Sequence, residues 1–543
     1  MIVNRRPKRP SRYPAHSNGR RFARVAVDPN NARSALRHRR IDNGLDVVIG
    51  LCIRRGLIKA ALISPLPPSP TSFIPTTAIL IHPEQSTPIA IAETKMPPSL
   101  LYPKITTPTP SIIHSSGNYL TTSDGRRIFD ASGGAAVACL GHNDPRVKEA
   151  IVAQLDQTAY VYSPFFTVPA AEEIASFLAE STGGKMERVF VVSSGTEAIE
   201  AALKMARQYY TELSEPQWQR TRFIARRQSY HGNTLGSLAT GGHKVRRAIY
   251  EPILATNVSH VSPCYPYRDM KEDETEEAYV TRLAEELEAE FQRVGPETVC
   301  AFVAETMSGT TLGCVPAVPG YFKAIKAVCD RHGALLILDE VMSGMGRTGT
   351  LHAWEQEDVV PDLQTVAKGL GAGYAPIGAL LVGSRVVNAL TKGTGSFLHS
   401  QTYQGHPAAC AAAVAVQRII RDDNLLEIVR VQGEYLGALL KERLGPHKNV
   451  GDIRGRGLFW ALEFVKDRTT KEPFPAADGI AQKVHRTGLE KEHCISMIPG
   501  SGVADGVNGD IVQIAPAYNV SREDIEVIVQ RVVGVINAVF GEE

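Results

Sequence analysis

The chain of 543 residues contains 43% hydrophobic and 21% charged residues and has a formal net charge of +2. This balance is typical of a globular protein and excludes a disordered, collagen-like or coiled-coil chain, and at roughly 150 residues per domain the length predicts three or four domain-sized units. The near-neutral charge gives no sign of a nucleic-acid partner, and no apolar run approaches the ~20 residues that a membrane span requires.

The first 60 residues differ from the rest of the chain in charge. They hold 15 Lys and Arg against 3 Asp and Glu, so the remainder carries a net charge of −10. An Arg-rich, acid-poor start is typical of a mitochondrial transit peptide, but Pro7, Pro10, Pro14 and Pro29 would interrupt its amphipathic helix. Residues 61–110 hold 12 of the 34 prolines, and we expect residues 1–115 to form a disordered or extended extension.

Three roles for this extension stay open. If translation begins at Met96, the preceding residues are an artefactual or non-functional extension. The other two roles are organelle targeting and a basic interaction arm. We therefore expect a cytoplasmic protein, or a mitochondrial one if the extension is a transit peptide.

From Gly117 onward, short apolar runs alternate with amphipathic helical patterns. The predicted strands are 189–192, 300–304, 335–338 and 377–382, and the predicted helices between them include 197–210 and 321–331. Strands that alternate with helices indicate a largely parallel α/β sheet covered on both faces. After about residue 419 the patterns predict a smaller α+β domain, with helices over 425–444 and 522–539 and a strand over 458–465.

Two motifs are candidate ligand contacts. Ser193-Ser194-Gly195-Thr196-Glu197 stands between a predicted strand and a predicted helix, where backbone N–H groups and the helix dipole favour an anion such as phosphate. An ordinary helix N-cap is the alternative explanation. Tyr230-His231-Gly232 offers an aromatic platform for a planar cofactor, and the alternative is a tyrosine of the core.

Two further motifs carry ionisable groups at the ends of apolar runs. Asp339 and Glu340 follow four aliphatic residues, at the edge where open α/β sheets bind ligands. A buried carboxylate needs a partner such as a cationic ring nitrogen, unless both acids cap the next turn. Lys368 ends another apolar run and precedes three glycines. Desolvation there would lower its pKa and favour a nucleophilic neutral amine, whereas most lysines are solvated surface residues.

One further motif, which is rich in glycine, fits a nucleotide-binding fingerprint. Residues 344–349 have the pattern G-x-G-x-x-G after a predicted strand, which leaves an NAD(P)-dependent oxidoreductase as a remote alternative. The segment that follows, 350–358, is too short for a convincing crossover helix. The eight cysteines show no C-x-x-C pair and no zinc spacing, so they predict reduced thiols, an intracellular chain and no metal site.

Together, these motifs resemble those of the class III pyridoxal-phosphate-dependent aminotransferases. The matching elements are Ser-Gly-Thr-Glu-Ala, Tyr-His-Gly, Asp-Glu-Val and Ala-Lys-Gly-Leu in this order, with 29 residues from Asp339 to Lys368. The resemblance covers about residues 117–538 and implies fold type I, with a large domain around a mostly parallel seven-stranded sheet and a smaller α+β domain built from both chain ends. The implied boundaries are 116–166 for the N-terminal segment of the small domain, 167–418 for the large domain and 419–543 for the C-terminal part of the small domain.

The resemblance implies pyridoxal 5′-phosphate as the cofactor and a role for each matching residue. Lys368 would bind the cofactor covalently and then move a proton between the substrate's Cα and the cofactor. Asp339 would pair with the pyridinium nitrogen and keep it protonated. The other implied contacts are Tyr230 and Val341 on the two ring faces, Gly195 and Thr196 at the phosphate, and Glu305 beside the ring.

Substrate and partner residues follow from the same resemblance. Arg454 matches the family's arginine for the substrate carboxylate, and an ordinary surface ion pair is its alternative. Thr402 matches a threonine that members lend to the neighbouring subunit's phosphate, which implies a homodimer with shared active sites. Tyr162 and Phe165, with Phe166 beside them, would shape the amine pocket.

One departure from the family pattern bears on the substrate. Many members have Glu-Pro where this chain has Glu305-Thr306, which weakens an ornithine or γ-aminobutyrate assignment and favours the ω-amino-acid:pyruvate branch. The resemblance therefore implies a ping-pong transaminase that moves an amino group from an ω-amino acid or primary amine to an α-keto acid. Decarboxylation or an internal amino shift with the same cofactor are alternatives, and intact Lys368 and Asp339 argue against an inactive scaffold.

Overall fold

A computed structural model describes residues 38–40, 46–54, 57–63, 99–101 and 109–541. The chain divides into two compact units, Met1–Leu101 and Tyr102–Glu543. Most of the predicted extension, including Met96, lies outside the described residues, so its three possible roles stay predictions. The described part of the first unit contains an antiparallel sheet, which the sequence analysis did not include, of strands β1 (His38–Arg40), β2 (Asp46–Arg54) and β3 (Leu57–Ile63).

The second unit holds the remaining strands and all the described α-helices. Its strands are β4 (Ile112–Ser116), β5 (Tyr119–Thr122), β6 (Arg127–Asp130), β7 (Met186–Val192), β8 (Arg222–Arg226), β9 (Val258–Val261), β10 (Val299–Glu305), β11 (Met307–Ser308), β12 (Val315–Pro316), β13 (Leu335–Asp339), β14 (Leu363–Val366), β15 (Gly378–Gly383), β16 (Val450–Arg456), β17 (Phe459–Asp467), β18 (Glu472–Pro473), β19 (Ile495–Ser496), β20 (Ile498–Ser501) and β21 (Asp510–Ile514). Its helices are α1 (Gly133–Ala136), α2 (Pro145–Gln157), α3 (Pro169–Ser181), α4 (Gly195–Thr211), α5 (Leu235–Thr240), α6 (Lys244–Arg247), α7 (Pro266–Asp269), α8 (Glu276–Val294), α9 (Tyr321–Arg331), α10 (Ser384–Lys392), α11 (Pro407–Asp422), α12 (Leu425–Leu444), α13 (Ile480–Gly488) and α14 (Arg522–Phe540).

The largest sheet has seven strands in the order β7-β15-β14-β13-β10-β8-β9. Neighbours are parallel except at β15, which runs antiparallel to both β14 and β7. Strands β10, β13 and β15 are buried along their whole length, as expected for a sheet covered on both faces. The strands predicted over 189–192, 300–304, 335–338 and 377–382 are confirmed as β7, β10, β13 and β15.

Alternate residues of the central strands pack against different helices, because successive side chains of a strand point to opposite faces. Phe302 and Leu336 share one core cluster with residues of α8 and α9. Ala301 and Leu335 share another with residues of α4 and α10. The helices predicted over 197–210 and 321–331 are confirmed as α4 and α9.

The smaller sheets bring both ends of this unit together. A five-stranded sheet has the order β16-β17-β21-β20, with β18 paired to β17. In a four-stranded sheet of order β19-β6-β5-β4, β19 from the C-terminal part lies beside β6 from the N-terminal part. The predicted α+β part built from both chain ends is therefore confirmed, as are α12, β17 and α14. The boundaries at residues 166 and 418 stay predictions.

The carboxyl ends of β10, β13 and β14 meet at one edge of the large sheet. Glu305 and Asp339 are register partners, and Asp339 also pairs with Thr365, three residues before Lys368. After the G-x-G-x-x-G motif, Ala353–Glu357 form a single 3₁₀ helix, so no crossover α-helix follows it. Across the described residues, no helix has both the length and the apolar character needed to cross a membrane.

Candidate active site

A cavity of about 830 Å³ lies at this edge of the sheet. It is bounded by the carboxyl ends of β10 and β13, the start of α4, and the turn that follows β14. The structure brings seven of the predicted site residues together in its wall: Gly195, Thr196, Tyr230, Glu305, Asp339, Val341 and Lys368.

Asp339 ends β13 and is 5% exposed. Its Oδ2 lies 2.8 Å from Nδ1 of His231, and its Oδ1 accepts the N–H of Val341 at 3.0 Å. His231 is itself buried, and its Nε2 has no hydrogen-bond partner among the described residues. The carboxylate is therefore held from two sides while it lines the cavity, which positions it for a cationic ligand group.

Glu305 lies beside Asp339 at the end of the neighbouring strand. Its Oε1 accepts the N–H of Gly309 at 3.0 Å, and its Oε2 accepts the N–H of Tyr230 at 3.3 Å. Burial raises the pKa of Glu305, and the nearby Asp339 charge acts in the same direction. Glu305 thus fixes the backbone of Tyr230 and adds a second acid to the inner end of the cavity.

The adjacent acid Glu340 has a different environment. It is fully buried and accepts hydrogen bonds from the N–H groups of Ala353 and Trp354 at 2.8 and 2.7 Å. The Thr306 hydroxyl and the Gln364 amide donate at 2.8 and 2.9 Å. Of the two acids, only Asp339 lines the cavity, because Glu340 caps the 3₁₀ helix that follows.

Thr306, the residue that departs from the family pattern, contributes twice to this region. Its N–H donates to the Asp339 carbonyl at 3.3 Å, and its hydroxyl donates to Glu340. A proline has neither donor, so in this chain the position ties the end of β10 to β13 by bonds that a Glu-Pro sequence cannot form.

Lys368 begins a tight turn after β14 and has a positive φ of 43°. Its carbonyl accepts the N–H groups of Gly371 and Ala372 at 3.2 and 2.9 Å. The next residue, Gly369, is held by α11, because its carbonyl accepts a hydrogen bond from the Gln417 side-chain amide at 3.0 Å. Burial lowers the pKa of Lys368 to about 8, while the charges of Asp339 and Glu305 act against this shift. The direction of this shift is the one that the sequence analysis expects for a buried lysine.

The start of α4 forms another wall. The Ser194 hydroxyl accepts the N–H of Glu197 at 3.2 Å, and the Glu197 carboxylate accepts the N–H of Ser193 at 2.8 Å, so the predicted N-cap is present. Gly195 and Thr196 line the cavity at the positive end of the helix dipole, a favourable place for an anion. The N-cap is therefore present, and phosphate binding by the same residues stays a prediction.

Glycine is required at the first position of this helix. A Cβ on Gly195 would lie 2.7 Å from Cγ1 and 2.8 Å from Cγ2 of Val341. In the Tyr230-His231-Gly232 segment, a Cβ on Gly232 would likewise collide with the Thr196 hydroxyl. The close approach of these segments shapes the narrow inner part of the cavity.

Thr402, Tyr162 and Phe165 do not line the cavity. All three are exposed, and Phe165 is 75% exposed. They lie in one region, because the Tyr160 hydroxyl donates to the Thr402 carbonyl at 2.9 Å and the rings of Tyr162 and Phe165 are in edge contact at 5.2 Å. Their predicted roles at a neighbouring subunit's phosphate and at the amine pocket stay predictions.

Arg454 is also outside the cavity, in a buried polar cluster. Its Nε donates to the Gly313 carbonyl at 2.7 Å, and its Nη1 pairs with Asp452 and Glu463 at 2.8 and 2.6 Å. Its Nη2 donates to the Tyr265 hydroxyl at 3.2 Å. Here the guanidinium is fully engaged with protein groups, so the predicted role at a substrate carboxylate would require these bonds to be exchanged.

The sequence analysis assigned no role to three residues that the structure places in or against this site. His231 was only the middle of the Tyr-His-Gly motif, and its bond to Asp339 joins positions 108 residues apart. Arg246 and His243 line the cavity, on and beside α6, and Arg246 is exposed, so we call this solvent-facing end the mouth of the cavity. For His231, its position next to Tyr230 could have indicated a place in the site. The four-residue helix α6, by contrast, has no sequence pattern that indicates a site.

Comparisons with known proteins agree with this geometry. The sequence model described as aminotransferase class III matches residues 103–536. A protein of Gibberella zeae described as an aminotransferase is 55% identical over 433 residues, which cover 80% of this chain and 84% of that protein. A probable mitochondrial γ-aminobutyrate transaminase of Oryza sativa subsp. indica is 33% identical over 77% of this chain and 80% of its own. The crystal structure of an amine transaminase from an uncultivated Pseudomonas species, in its PLP-bound form, superposes with a TM-score of 0.76 at 31% identity, covering 82% of this chain and 99% of that one.

Proteins of this family depend on pyridoxal 5′-phosphate, and the cavity residues fit that cofactor. Lys368 supplies an amine and Asp339 a buried carboxylate. Gly195 and Thr196 line the cavity at the α4 start, where the positive end of the helix dipole favours an anion. The buried hydroxyl of Thr311 lines the same cavity and has no hydrogen-bond partner among the described residues, so it is a further polar group for a ligand.

Proposed function

Because the chain belongs to the class III aminotransferases, we propose that it transfers the amino group of an ω-amino acid or a primary amine to an α-keto acid such as pyruvate. The observation that carries this proposal is the position of Lys368, with its lowered pKa, beside Asp339 and Glu305 at the inner end of a large cavity. The names of the relatives support both donor classes, since one is a γ-aminobutyrate transaminase and another an amine transaminase.

Each residue of the inner cavity has a defined task in this reaction. The cofactor supplies an electron sink for negative charge that develops at the substrate's Cα. Lys368 would hold the cofactor, and its Nζ would accept the proton that leaves Cα. Asp339 would pair its carboxylate with the protonated ring nitrogen, and His231 holds that carboxylate in place. Gly195 and Thr196 bind the phosphate with backbone and hydroxyl donors at the α4 start.

Tyr230 and Val341 form the walls between which a planar ring fits. Both line the cavity, and Glu305 fixes the Tyr230 backbone. When the ring is bound, these two side chains would exclude water from its faces, which would strengthen the electrostatic pairing at Asp339.

A stoichiometric assay separates this proposal from the other reactions of the same cofactor. Transamination consumes one keto acid for each amine converted, whereas a decarboxylase or an aminomutase consumes none. We expect the purified holoenzyme to consume pyruvate and form alanine in equal amounts with β-alanine as donor, and Lys368→Ala to consume none. Amine conversion without pyruvate consumption would refute transamination.

We also propose a homodimer with shared active sites. The exposed side chains of Tyr160, Tyr162, Phe165, Phe166 and Tyr403 form an aromatic patch around Thr402. Exposed aromatic groups in such number are typical of a protein interface. A second copy covering the patch would carry Thr402 to a neighbouring cavity.

Mixed dimers test this arrangement directly. If Thr402 serves the neighbour's site, a hybrid of a Lys368→Ala subunit and a Thr402→Ala subunit has one site with both residues intact. The hybrid should be more active than either parent variant. If Thr402 serves its own subunit, the hybrid activity will be the mean of the two parents.

The location of the protein stays a prediction. A cytoplasmic protein and a mitochondrial one are both compatible with the basic first 60 residues. Sequencing the N-terminus of the mature protein will show whether these residues are retained.

A further inference from the structure

Arg246 has an unusual position at the mouth of the cavity. It lines the cavity and is exposed, and its Cζ lies 5.0 Å from the centroid of the Tyr230 ring. A cation–π contact of this kind positions a guanidinium through its face and leaves the N–H donors at its edge available. The aromatic residue that shapes the inner cavity therefore also holds a cation at the outer end.

The other basic residues of α6 are already engaged. The Lys244 ammonium donates to the Asp505 carbonyl at 2.6 Å. Arg247 pairs with Glu251 at 3.0 Å and donates to the Ala239 and Gly241 carbonyls. No carboxylate pairs with Arg246 within the part of the chain that the structure describes, so α6 presents one cation whose donors are available to a ligand.

The charges along the cavity indicate which end receives a carboxylate. The inner end carries the acids Asp339 and Glu305, which repel the carboxylate of a substrate. At the mouth, burial and the neighbouring Arg246 lower the pKa of His243 to about 4, so this histidine is neutral near pH 7. Among the described residues that line the cavity, Arg246 is thus the cation at the outer end and Lys368 the cation at the inner end.

A substrate bound along this axis has its amine near Lys368 and its carboxylate at the mouth. This polarity matches an ω-amino acid, in which several bonds separate the two groups. Arg454 is engaged by Asp452 and Glu463 inside the protein, so it does not compete for the carboxylate in this arrangement.

We propose that Arg246 binds the carboxylate of the amino donor and thereby selects ω-amino acids over amines that lack a carboxylate. The inference rests on the proposed transaminase function and adds to it the residue that recognises the donor. Arginine suits this task because its planar fork donates two parallel hydrogen bonds to a carboxylate.

The test compares two donors of equal length in the holoenzyme without keto acid. The donors are β-alanine and its amide, 3-aminopropanamide, which lacks the carboxylate, and the signal is the loss of the yellow absorption in a single turnover. The concentration dependence of this loss gives an apparent Kd for each donor, and the ratio of the two values measures carboxylate recognition. The variants are Arg246→Gln, Arg246→Lys and, as a control, Arg443→Gln at an exposed arginine of α12 away from the cavity.

We expect the wild type to bind the acid more tightly than the amide. Arg246→Gln should reduce this preference by about 10-fold to 100-fold, the loss typical of removing a hydrogen bond between charged groups. Arg246→Lys should retain part of the preference, and Arg443→Gln all of it. A merely structural role of Arg246 would weaken both donors equally and leave the ratio unchanged.

Three outcomes overturn the inference, and they are distinguishable. An unchanged ratio in Arg246→Gln, with a wild type that prefers the acid, rejects Arg246 alone. A wild type that binds acid and amide equally rejects carboxylate recognition while leaving transamination intact. A wild type whose yellow absorption is lost with neither donor rejects the proposed donor class together with the role of Arg246.

Discussion

Replacing Gly195 by alanine tests how α4 and Val341 together form the cofactor site. The new Cβ would lie 2.7 and 2.8 Å from the two Val341 methyl groups, well inside the ~3.5–4.0 Å of an ordinary carbon–carbon contact. Both methyl groups are too close, so every staggered χ1 rotamer of the valine keeps at least one methyl group in collision. Either the start of α4 or Val341 must move, and overpacking of this kind costs about 1–3 kcal/mol.

The expected consequence is weaker cofactor binding, because both displaced groups line the cavity. If the full cost falls on the bound state, the Kd for pyridoxal 5′-phosphate rises about 5-fold to 150-fold at 1.4 kcal/mol per tenfold change. Titrating the apoenzyme with the cofactor, followed by absorbance, measures this value. Thermal unfolding of each apoenzyme checks that the variants remain folded.

The double variant Gly195→Ala/Val341→Ala supplies the matched control. It removes the two methyl groups that collide, so cofactor binding should recover relative to Gly195→Ala, with Val341→Ala alone completing the double-mutant cycle. If the double variant binds the cofactor no better than Gly195→Ala, the collision with Val341 is not the cause and the reasoning is refuted.

Three further predictions concern Asp339, Lys368 and Thr306. Asp339→Asn should retain the cofactor but lose about 10³-fold in kcat, because a pair of opposite unit charges in contact is worth about 4 kcal/mol near a protein surface; steady-state kinetics measures it. The rate of cofactor capture by the apoenzyme should rise with pH and level off above about 8, since the neutral amine of Lys368 reacts and its pKa is lowered to about 8; stopped-flow absorbance follows it. Thr306→Val should lower the free energy of unfolding by about 1–3 kcal/mol, because the buried Glu340 loses one donor; urea unfolding of the apoenzyme measures it.

Each of these predictions has a contradicting result. An unchanged kcat in Asp339→Asn would reject its pairing with the ring nitrogen. A capture rate that still rises steeply above pH 9 would show a lysine near its ordinary value of 10.5. A Thr306→Val protein as stable as the wild type would show that the hydroxyl bond to Glu340 contributes nothing net.

The inner part of the site could be predicted from the sequence because it depends on local patterns. Asp339 and Lys368 each follow an apolar run, and parallel strands place such ends at the same edge of a sheet. Gly195 and Thr196 follow another apolar run and begin a helix, which also places them at the edge of the sheet. The pattern therefore predicts which residues meet, even without their distances.

The outer part of the site could not be predicted in this way. Arg246 reaches the cavity through a four-residue helix whose place depends on tertiary packing. Arg454 is bonded to Glu463 of the neighbouring strand and to the Gly313 carbonyl, 141 residues away. Neither partner can be predicted from the sequence around Arg454. Thr402 lies in an exposed patch of a single chain, and a role at another subunit involves residues that no one chain contains.

The proposed function makes this chain a pyridoxal-phosphate transaminase that accepts ω-amino acids. The most direct measurement is the visible absorption spectrum of the purified protein before and after the addition of β-alanine. We expect a yellow protein whose band is lost on adding β-alanine and returns on adding pyruvate. A protein that stays colourless after incubation with pyridoxal 5′-phosphate would contradict the cofactor assignment, and a yellow band unchanged by β-alanine would contradict the proposed donor class.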